Sequence, residues 1–257
     1  MPRRDPRFLC ESCGYDLSDR AAEAVDSASA FSGGEAEALL DAPCPECGQR
    51  IGDSHPSRRP GSPWQRRGSG VLAGVRAWVA TVGEVATSPR VCWAGFAPDV
   101  RRSLGFLVVT SGVGAAIPAL GLFYSRFSGI SPRPGYVGGF FLTGWLLMLS
   151  MSLVEFMGIR FFGSRRGWRV DAAVAACVVS HAAVGWLACG VLVALAWQLS
   201  NALVWSGRVS IYAVTTPTPV QTNVVALAIA LLAGIVSYET LVFFGVRRMK
   251  FANAPRG

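Results

Sequence analysis

The sequence is poor in charge and lacks the short motifs of several enzyme classes. Charged residues make up 16% of the chain, hydrophobic residues make up 51%, and the mean hydropathy is +0.39. These values are too apolar for an ordinary soluble domain. The chain has no H-E-x-x-H, no G-x-S-x-G and no phosphate-binding Gly-Lys-Ser/Thr loop, so it lacks the signatures of metalloproteases, serine hydrolases and P-loop nucleotide hydrolases. We therefore expect a protein that is not an enzyme.

An excess of positive charge is also missing from the first 70 residues, which carry nine Lys/Arg and eleven Asp/Glu and so a net charge of −2, whereas residues 71–257 carry a net charge of +10. A small nucleic-acid-binding domain is expected to carry its own basic patch, so this distribution argues against a nucleic-acid partner. The first residues are charged and interrupted by proline, with no apolar stretch after them. We therefore expect no signal peptide.

Four of the seven cysteines form two C-x-x-C pairs, at Cys10, Cys13, Cys44 and Cys47. Two such pairs supply four sulfur ligands in the tetrahedral arrangement that zinc prefers, and each pair is followed by a glycine that can complete a tight turn. A redox dithiol or a labile disulfide pair are the alternatives, but a redox C-x-x-C normally opens a helix in a βαβ context, which is missing here. The pattern predicts a structural zinc ion with a closed ligand shell, and buried thiols at the other three cysteines.

Composition divides the chain into four parts. Residues 1–52 hold the predicted zinc ribbon, and residues 53–69 are rich in Pro, Gly and Ser, which predicts a linker. Apolar residues recur at helical spacing in residues 70–103, among charges, which is typical of helices that lie on a membrane surface. Residues 104–250 form the predicted transmembrane domain.

The transmembrane domain contains four stretches long enough to cross a bilayer, since about 20 residues of helix span about 30 Å of hydrocarbon. The predicted spans are residues 104–124, 136–159, 170–199 and 224–246. Arginines are numerous before the first span, between the second and third spans and after the last span, and they are few in the other two loops. This alternation predicts an even number of spans and two cytoplasmic termini. A fifth span within residues 191–214 is the alternative, but it would place the basic tail outside.

Three ionisable residues fall inside the predicted spans: Glu155, His181 and Glu239. Charge inside a membrane is costly, so each residue is a candidate for function. Helix rise places the two glutamates in the cytoplasmic half and His181 near the midplane. One hypothesis makes the three an ion or proton path. The other is structural: Glu155 reaches toward Arg160, and His181 pairs with Glu239.

The cysteine motifs C-E-S-C-G-Y-D-L and C-P-E-C-G (residues 10–17 and 44–48) resemble the zinc-ribbon heads of many bacterial multi-span membrane proteins. The segments T-S-P-R-V-C-W and G-I-R-F-F-G-S-R-R-G-W-R-V (residues 87–93 and 158–170) resemble the Yip-domain family of small helical membrane proteins. Members of that family usually have five spans, and the eukaryotic ones act in vesicle trafficking through binding partners. The resemblance implies a non-enzymatic membrane scaffold.

The expected fold is an all-α polytopic membrane bundle of four transmembrane helices with a small N-terminal four-cysteine zinc ribbon. We expect the protein to lie in the bacterial inner membrane, with the lipid bilayer and a cytoplasmic protein as partners and the ribbon as a docking or regulatory module. A transporter or channel that uses the three intramembrane residues is the alternative. The sequence does not indicate an oligomeric state.

Overall fold

The computed structural model describes residues 8–19, 41–54, 59–123, 134–205 and 219–252. It contains six α-helices in these ranges: α1 (Val71–Thr87), α2 (Val100–Phe123), α3 (Pro134–Arg165), α4 (Ala172–Ala182), α5 (Val184–Trp205) and α6 (Pro219–Met249). Short 3-10 turns lie at Ile51–Ser54 and Cys92–Ala94. The described ranges hold no β-strand, only two isolated bridges in the ribbon. The insert between the two cysteine pairs lies mostly outside the described residues.

Four stretches of helix are long and apolar enough to cross a membrane, which confirms the predicted membrane fold for the described residues. They are Val100–Gly121, Gly135–Arg165, Ala172–Ser200 and Val224–Met249. The second stretch is longer than predicted, and only 11% of the residues in its most apolar part are buried. Exposed leucine, valine and phenylalanine side chains along this helix are expected where lipid is the solvent. The alternative fifth span lies partly outside the described residues.

The third span is interrupted once and consists of two consecutive helices. Helix α4 ends at Ala182 and α5 begins at Val184. The N–H of Ala183 is shared between the carbonyls of Val179 and Ser180, at 3.2 and 3.3 Å. Asp171 caps α4, because its Oδ1 accepts a 2.8 Å hydrogen bond from the N–H of Val174.

Contacts divide the chain into two compact units. The first comprises residues 1–104, 156–178 and 244–257, and the second comprises residues 105–155 and 179–243. The predicted ribbon, linker and surface helices all belong to the first unit. The exact domain boundaries given by composition stay a prediction.

Within the first unit, the described part of the predicted linker is packed and hydrogen-bonded. Ser62, Trp64 and Gln65 are buried. The N–H of Trp64 donates to Thr81 Oγ1 at 2.8 Å, and its indole N–H donates to the carbonyl of Arg102 at 2.8 Å. Proline, glycine and serine exclude a regular helix here, but they do not prevent an irregular segment from being buried when its polar groups find partners.

Within the second unit, glycines lie where helices cross most closely. A methyl group at Gly114 of α2 would lie 2.8 Å from the carbonyl oxygen of Trp186 in α5, and one at Gly190 would overlap the carbonyl of Gly114. A methyl group at Gly185 would lie 2.6 Å from the Cα of Tyr238 in α6. Small residues at such positions let helix backbones approach within a bilayer.

Candidate metal centre

The two cysteine pairs form turns with the same hydrogen-bond pattern. The N–H of Gly14 donates to the carbonyl of Cys10 at 2.8 Å, and the N–H of Gly48 donates to the carbonyl of Cys44 at 2.9 Å. Gly14 and Gly48 have φ angles of 82° and 73°, a left-handed conformation in which a side chain would be strained. The predicted role of these two glycines is therefore confirmed.

The four sulfur atoms converge, as predicted. All ligand atoms of Cys10, Cys13, Cys44 and Cys47 lie within 4.8 Å of one another. Cys10 Sγ is 3.6 Å from Cys47 Sγ, and Cys13 Sγ is 3.7 Å from Cys44 Sγ. Sulfur atoms placed tetrahedrally about 2.3 Å from a zinc ion are about 3.8 Å apart. The cluster therefore fits a tetrahedral metal ion held by four cysteines.

One sulfur of each pair is buried and the other is exposed. Cys10 and Cys44 lie in a small core with Phe8, Leu17 and Ile51, whereas Cys13 and Cys47 are exposed. This core is too small to stabilise a fold alone, so a metal that ties its two turns together would contribute directly to folding.

The thiol pKa values differ across the cluster. The backbone N–H of Gln49 hydrogen-bonds to Cys47 and lowers its pKa to about 7. Burial raises the pKa of Cys10 above its ordinary value. A bound metal cation would favour the thiolate form of its cysteine ligands and so oppose the effect of burial on Cys10. The metal would be structural, because four protein ligands leave no coordination position for water.

The first cysteine turn is fastened by a buried ion pair. The Arg59 guanidinium donates to both carboxylate oxygens of Glu11, at 2.9 and 2.6 Å, and the two side chains are 2% and 11% exposed. The same guanidinium donates to the backbone carbonyls of Trp93 and Phe96, at 2.9 and 3.1 Å. Arg59 therefore connects a residue between two metal ligands to the segment that precedes the first span.

The segment just after the last span also contacts the first cysteine turn. A methyl group at Gly14 would lie 2.8 Å from the ring of Phe251, so this ring packs directly on the glycine. Nearby, the N–H of Glu11 donates to Ser54 Oγ at 3.0 Å. The ribbon is thus fixed in the first unit at several points.

The three intramembrane residues lie in the second unit in different surroundings. The ring of His181 is fully buried and stacks on Phe106, with centroids 5.0 Å apart. Glu155 is half-buried and Glu239 is exposed. Both hypotheses about this set, an ion path or local structural partners, stay predictions.

Sequence reasoning did not find the roles of Arg59 and Glu11. Arg59 stands in a run of proline, serine and arginine that is typical of a solvated segment, and Glu11 is one of many acidic residues near the N-terminus. No spacing rule connects them, because the contact forms only when the segment folds back. The second unit likewise holds an unpredicted polar contact, in which the Trp186 indole donates to Ser152 Oγ at 3.0 Å.

The fold and the site define a multi-span membrane protein with a four-cysteine cluster whose geometry fits a metal ion. Comparison of the chain with protein-family models, curated proteins and solved structures gave no match. The resemblances to zinc-ribbon-headed proteins and to the Yip-domain family therefore stay predictions.

Proposed function

We propose that this chain is a non-enzymatic inner-membrane protein whose cytoplasmic zinc ribbon regulates its helical bundle. The observation that carries the proposal is the position of Arg59, which joins Glu11 in the first cysteine turn to the carbonyls of Trp93 and Phe96. An arginine in this position donates to several buried acceptors at once. It can bond to all of them only while the first cysteine turn keeps its conformation. Metal occupancy would thus determine how firmly the segment before the first span is held.

The packing around Trp93 supports the same proposal. A methyl group at Gly245, near the end of α6, would lie 3.2 Å from the Trp93 ring and 2.8 Å from the side chain of Val178 in α4. Trp93 is fully buried. A change at the carbonyl of Trp93 would therefore reach residues of two membrane helices in the same unit.

Hydrogen–deuterium exchange on the full-length protein in lipid nanodiscs tests the regulatory role. We expect removal of zinc by a chelator to speed amide exchange in residues 91–97 and 244–252 as well as in the ribbon. The Arg50→Met variant, which keeps all four cysteines and changes only an exposed side chain, should respond like the wild type. Faster exchange in the ribbon alone would contradict the proposal.

Docking of a cytoplasmic protein is the other role proposed for the ribbon. The exposed side, where Cys13 and Cys47 lie, is the surface open to a partner. Cross-linking with the full-length protein, with and without zinc, separates the roles. A zinc-dependent partner combined with unchanged exchange in residues 91–97 would favour docking over regulation.

Transport through the second unit is a separate candidate. It is favoured by the hydroxyl group of Ser180, the residue before His181. This hydroxyl is buried and has no hydrogen-bond partner among the residues that the structure describes. An unpaired hydroxyl in a membrane interior is costly unless water or an ion reaches it. Proton or cation flux in proteoliposomes, abolished by Glu239→Gln and unchanged in Glu84→Gln, which removes an exposed carboxylate outside the spans, would support this function. No flux above that of protein-free liposomes would exclude it under those conditions.

A further inference from the structure

A basic pocket lies in the first unit, apart from the cysteine cluster. It has a volume of about 400 Å³ and is lined by Arg67, Gly68, Ser69, Arg101 and Arg102. Arg67, Gly68 and Ser69 come just before α1, whereas Arg101 and Arg102 lie in the first turn of α2. The pocket therefore presents three guanidinium groups and a hydroxyl group where the first span begins.

Contacts outside the pocket hold two of the arginines in place. The Arg67 guanidinium lies 3.7 Å over the centroid of the Trp64 ring, and it donates to the carbonyl of Trp64 at 2.9 Å. Arg102 donates to the carbonyl of Gln65, and its Nε lies 3.8 Å from the Asp99 carboxylate. These side chains are already ordered, so a ligand would lose little entropy in ordering them.

The pocket has an excess of positive charge. Burial lowers the pKa of Arg67, and the charge of Arg102 lowers it further, whereas Asp99 acts in the opposite direction. One carboxylate therefore opposes three guanidinium groups. Arginine binds phosphate oxygens through paired N–H groups, so an anion with several oxygens, above all a phosphate, suits this pocket.

An exposed apolar face begins directly beside the pocket. Val71 and Leu72 of α1 are 86% and 64% exposed, and Val75 and Val79 continue the same face at 53% and 55%. The opposite side of α1 is covered, since Thr81 and Val85 are buried. A helix with one covered side and one exposed apolar side next to arginines is typical of a membrane surface.

We propose that this pocket binds the phosphate of an anionic phospholipid, with the acyl chains against the exposed face of α1. The first span begins at Val100, so Arg101 and Arg102 stand where headgroups meet the hydrocarbon. A free phosphate would use only the pocket, whereas a lipid would use the pocket and the apolar face together. A zwitterionic headgroup would bind more weakly, because its ammonium group would face three arginines.

Lipid binding to the zinc-loaded full-length protein in detergent tests this site. Native mass spectrometry would compare short-chain phosphatidylglycerol, phosphatidylcholine and inorganic phosphate. Each arginine near a membrane surface contributes about fivefold in binding, so Arg67→Gln/Arg101→Gln should weaken phosphatidylglycerol binding roughly 30-fold. The matched control is Arg160→Gln/Arg165→Gln, which removes the same charge from α3 and should bind like the wild type.

Two further variants keep the test decisive. Arg101 is exposed, so Arg101→Gln alone should fold normally and weaken binding roughly fivefold. Leu72→Asn/Val75→Asn should weaken phosphatidylglycerol binding without changing the binding of inorganic phosphate. Equal affinity for phosphatidylcholine and phosphatidylglycerol, equal loss in the control pair, or inorganic phosphate binding as tightly as the lipid would each overturn the proposal.

Discussion

Each of the four cysteines supplies one sulfur to a closed set, so the loss of any one opens it. We expect the wild-type protein to hold about one metal ion per chain and Cys13→Ser to lose that ion to a chelator that the wild type resists. Elemental analysis of protein purified in detergent measures the metal content. The same measurement separates zinc from iron, since four thiolates suit both metals.

Cys92→Ser is the matched control, because Cys92 lies outside the cluster. Burial and the nearby charge of Glu84 raise the pKa of Cys92 to about 11, so this thiol stays protonated at neutral pH. Equal metal loss in Cys13→Ser and Cys92→Ser would contradict the assignment of the ligands.

The second prediction for individual residues concerns Arg59. Arg59→Met removes a buried guanidinium that donates to the Glu11 carboxylate and to the carbonyls of Trp93 and Phe96. Breaking one partner of a buried ion pair costs about 3–5 kcal/mol, so we expect a fall of that order in the free energy of unfolding. Denaturant unfolding of the zinc-loaded protein in detergent measures it.

The chain offers an exposed pair as a control. Arg50 and Asp41 are 3.7 Å apart, with side chains 69% and 66% exposed. Water screens such a pair, so Arg50→Met should change the free energy of unfolding by less than about 1 kcal/mol. Similar losses in Arg50→Met and Arg59→Met would show that Arg59 is not a buried anchor.

At the scale of elements, helix crossings in the second unit depend on missing side chains. Gly190→Leu in α5 would force a side chain against the carbonyl of Gly114. Overpacking of this kind costs about 1–3 kcal/mol, so we expect a lower thermal midpoint in detergent. Gly139→Leu in α3 is the control, since a methyl group there meets nothing within 4 Å. Equal effects would mean that the close crossing of α2 and α5 is not required.

The sequence predicted the helices better than it predicted their interruptions. Hydropathy finds a span because about 20 apolar residues are needed wherever the helix lies. Hydropathy does not reveal the turn at Ala183, because the sequence around it continues with alanine, valine and glycine. Local sequence patterns also do not predict that the segment around Trp64 is buried, because its burial depends on partners distant in sequence, such as Thr81 and Arg102.

The candidate metal centre was predictable for a different reason. Two C-x-x-C turns carry their own geometry within a few residues, and Gly14 and Gly48 complete it locally. The attachment of Glu11 to Arg59 depends on residues far apart in sequence, so local patterns do not reveal it. The basic pocket likewise requires Arg67 and Arg101 to be brought together by folding.

For the whole molecule, the contact between Gly14 and Phe251 bears on topology. Gly14 lies before the first span and Phe251 after the last, so their contact requires an even number of crossings. Four spans and a cytoplasmic ribbon then predict a cytoplasmic C-terminus. A fluorescent-protein fusion after residue 252 should fluoresce, and an alkaline phosphatase fusion there should be inactive. Phosphatase inserted within residues 206–218 should be active.

Reversed results at the C-terminal position would contradict this topology. An active phosphatase after residue 252, with an inactive one within 206–218, would require the fifth span or an inverted protein. Fusions at the N-terminus distinguish those two cases, because only inversion moves the ribbon to the outside.

The contact between Gly14 and Phe251 can form only late in the synthesis of the chain. Both cysteine turns are synthesised before any of the four spans, so they could take up a metal ion while the rest of the chain is still being made. The ring of Phe251 becomes available only after the last span has been synthesised. Closing so long a loop is slow compared with local turns. A ribbon that binds metal early and docks late would meet the cytoplasm as a free domain during each round of synthesis.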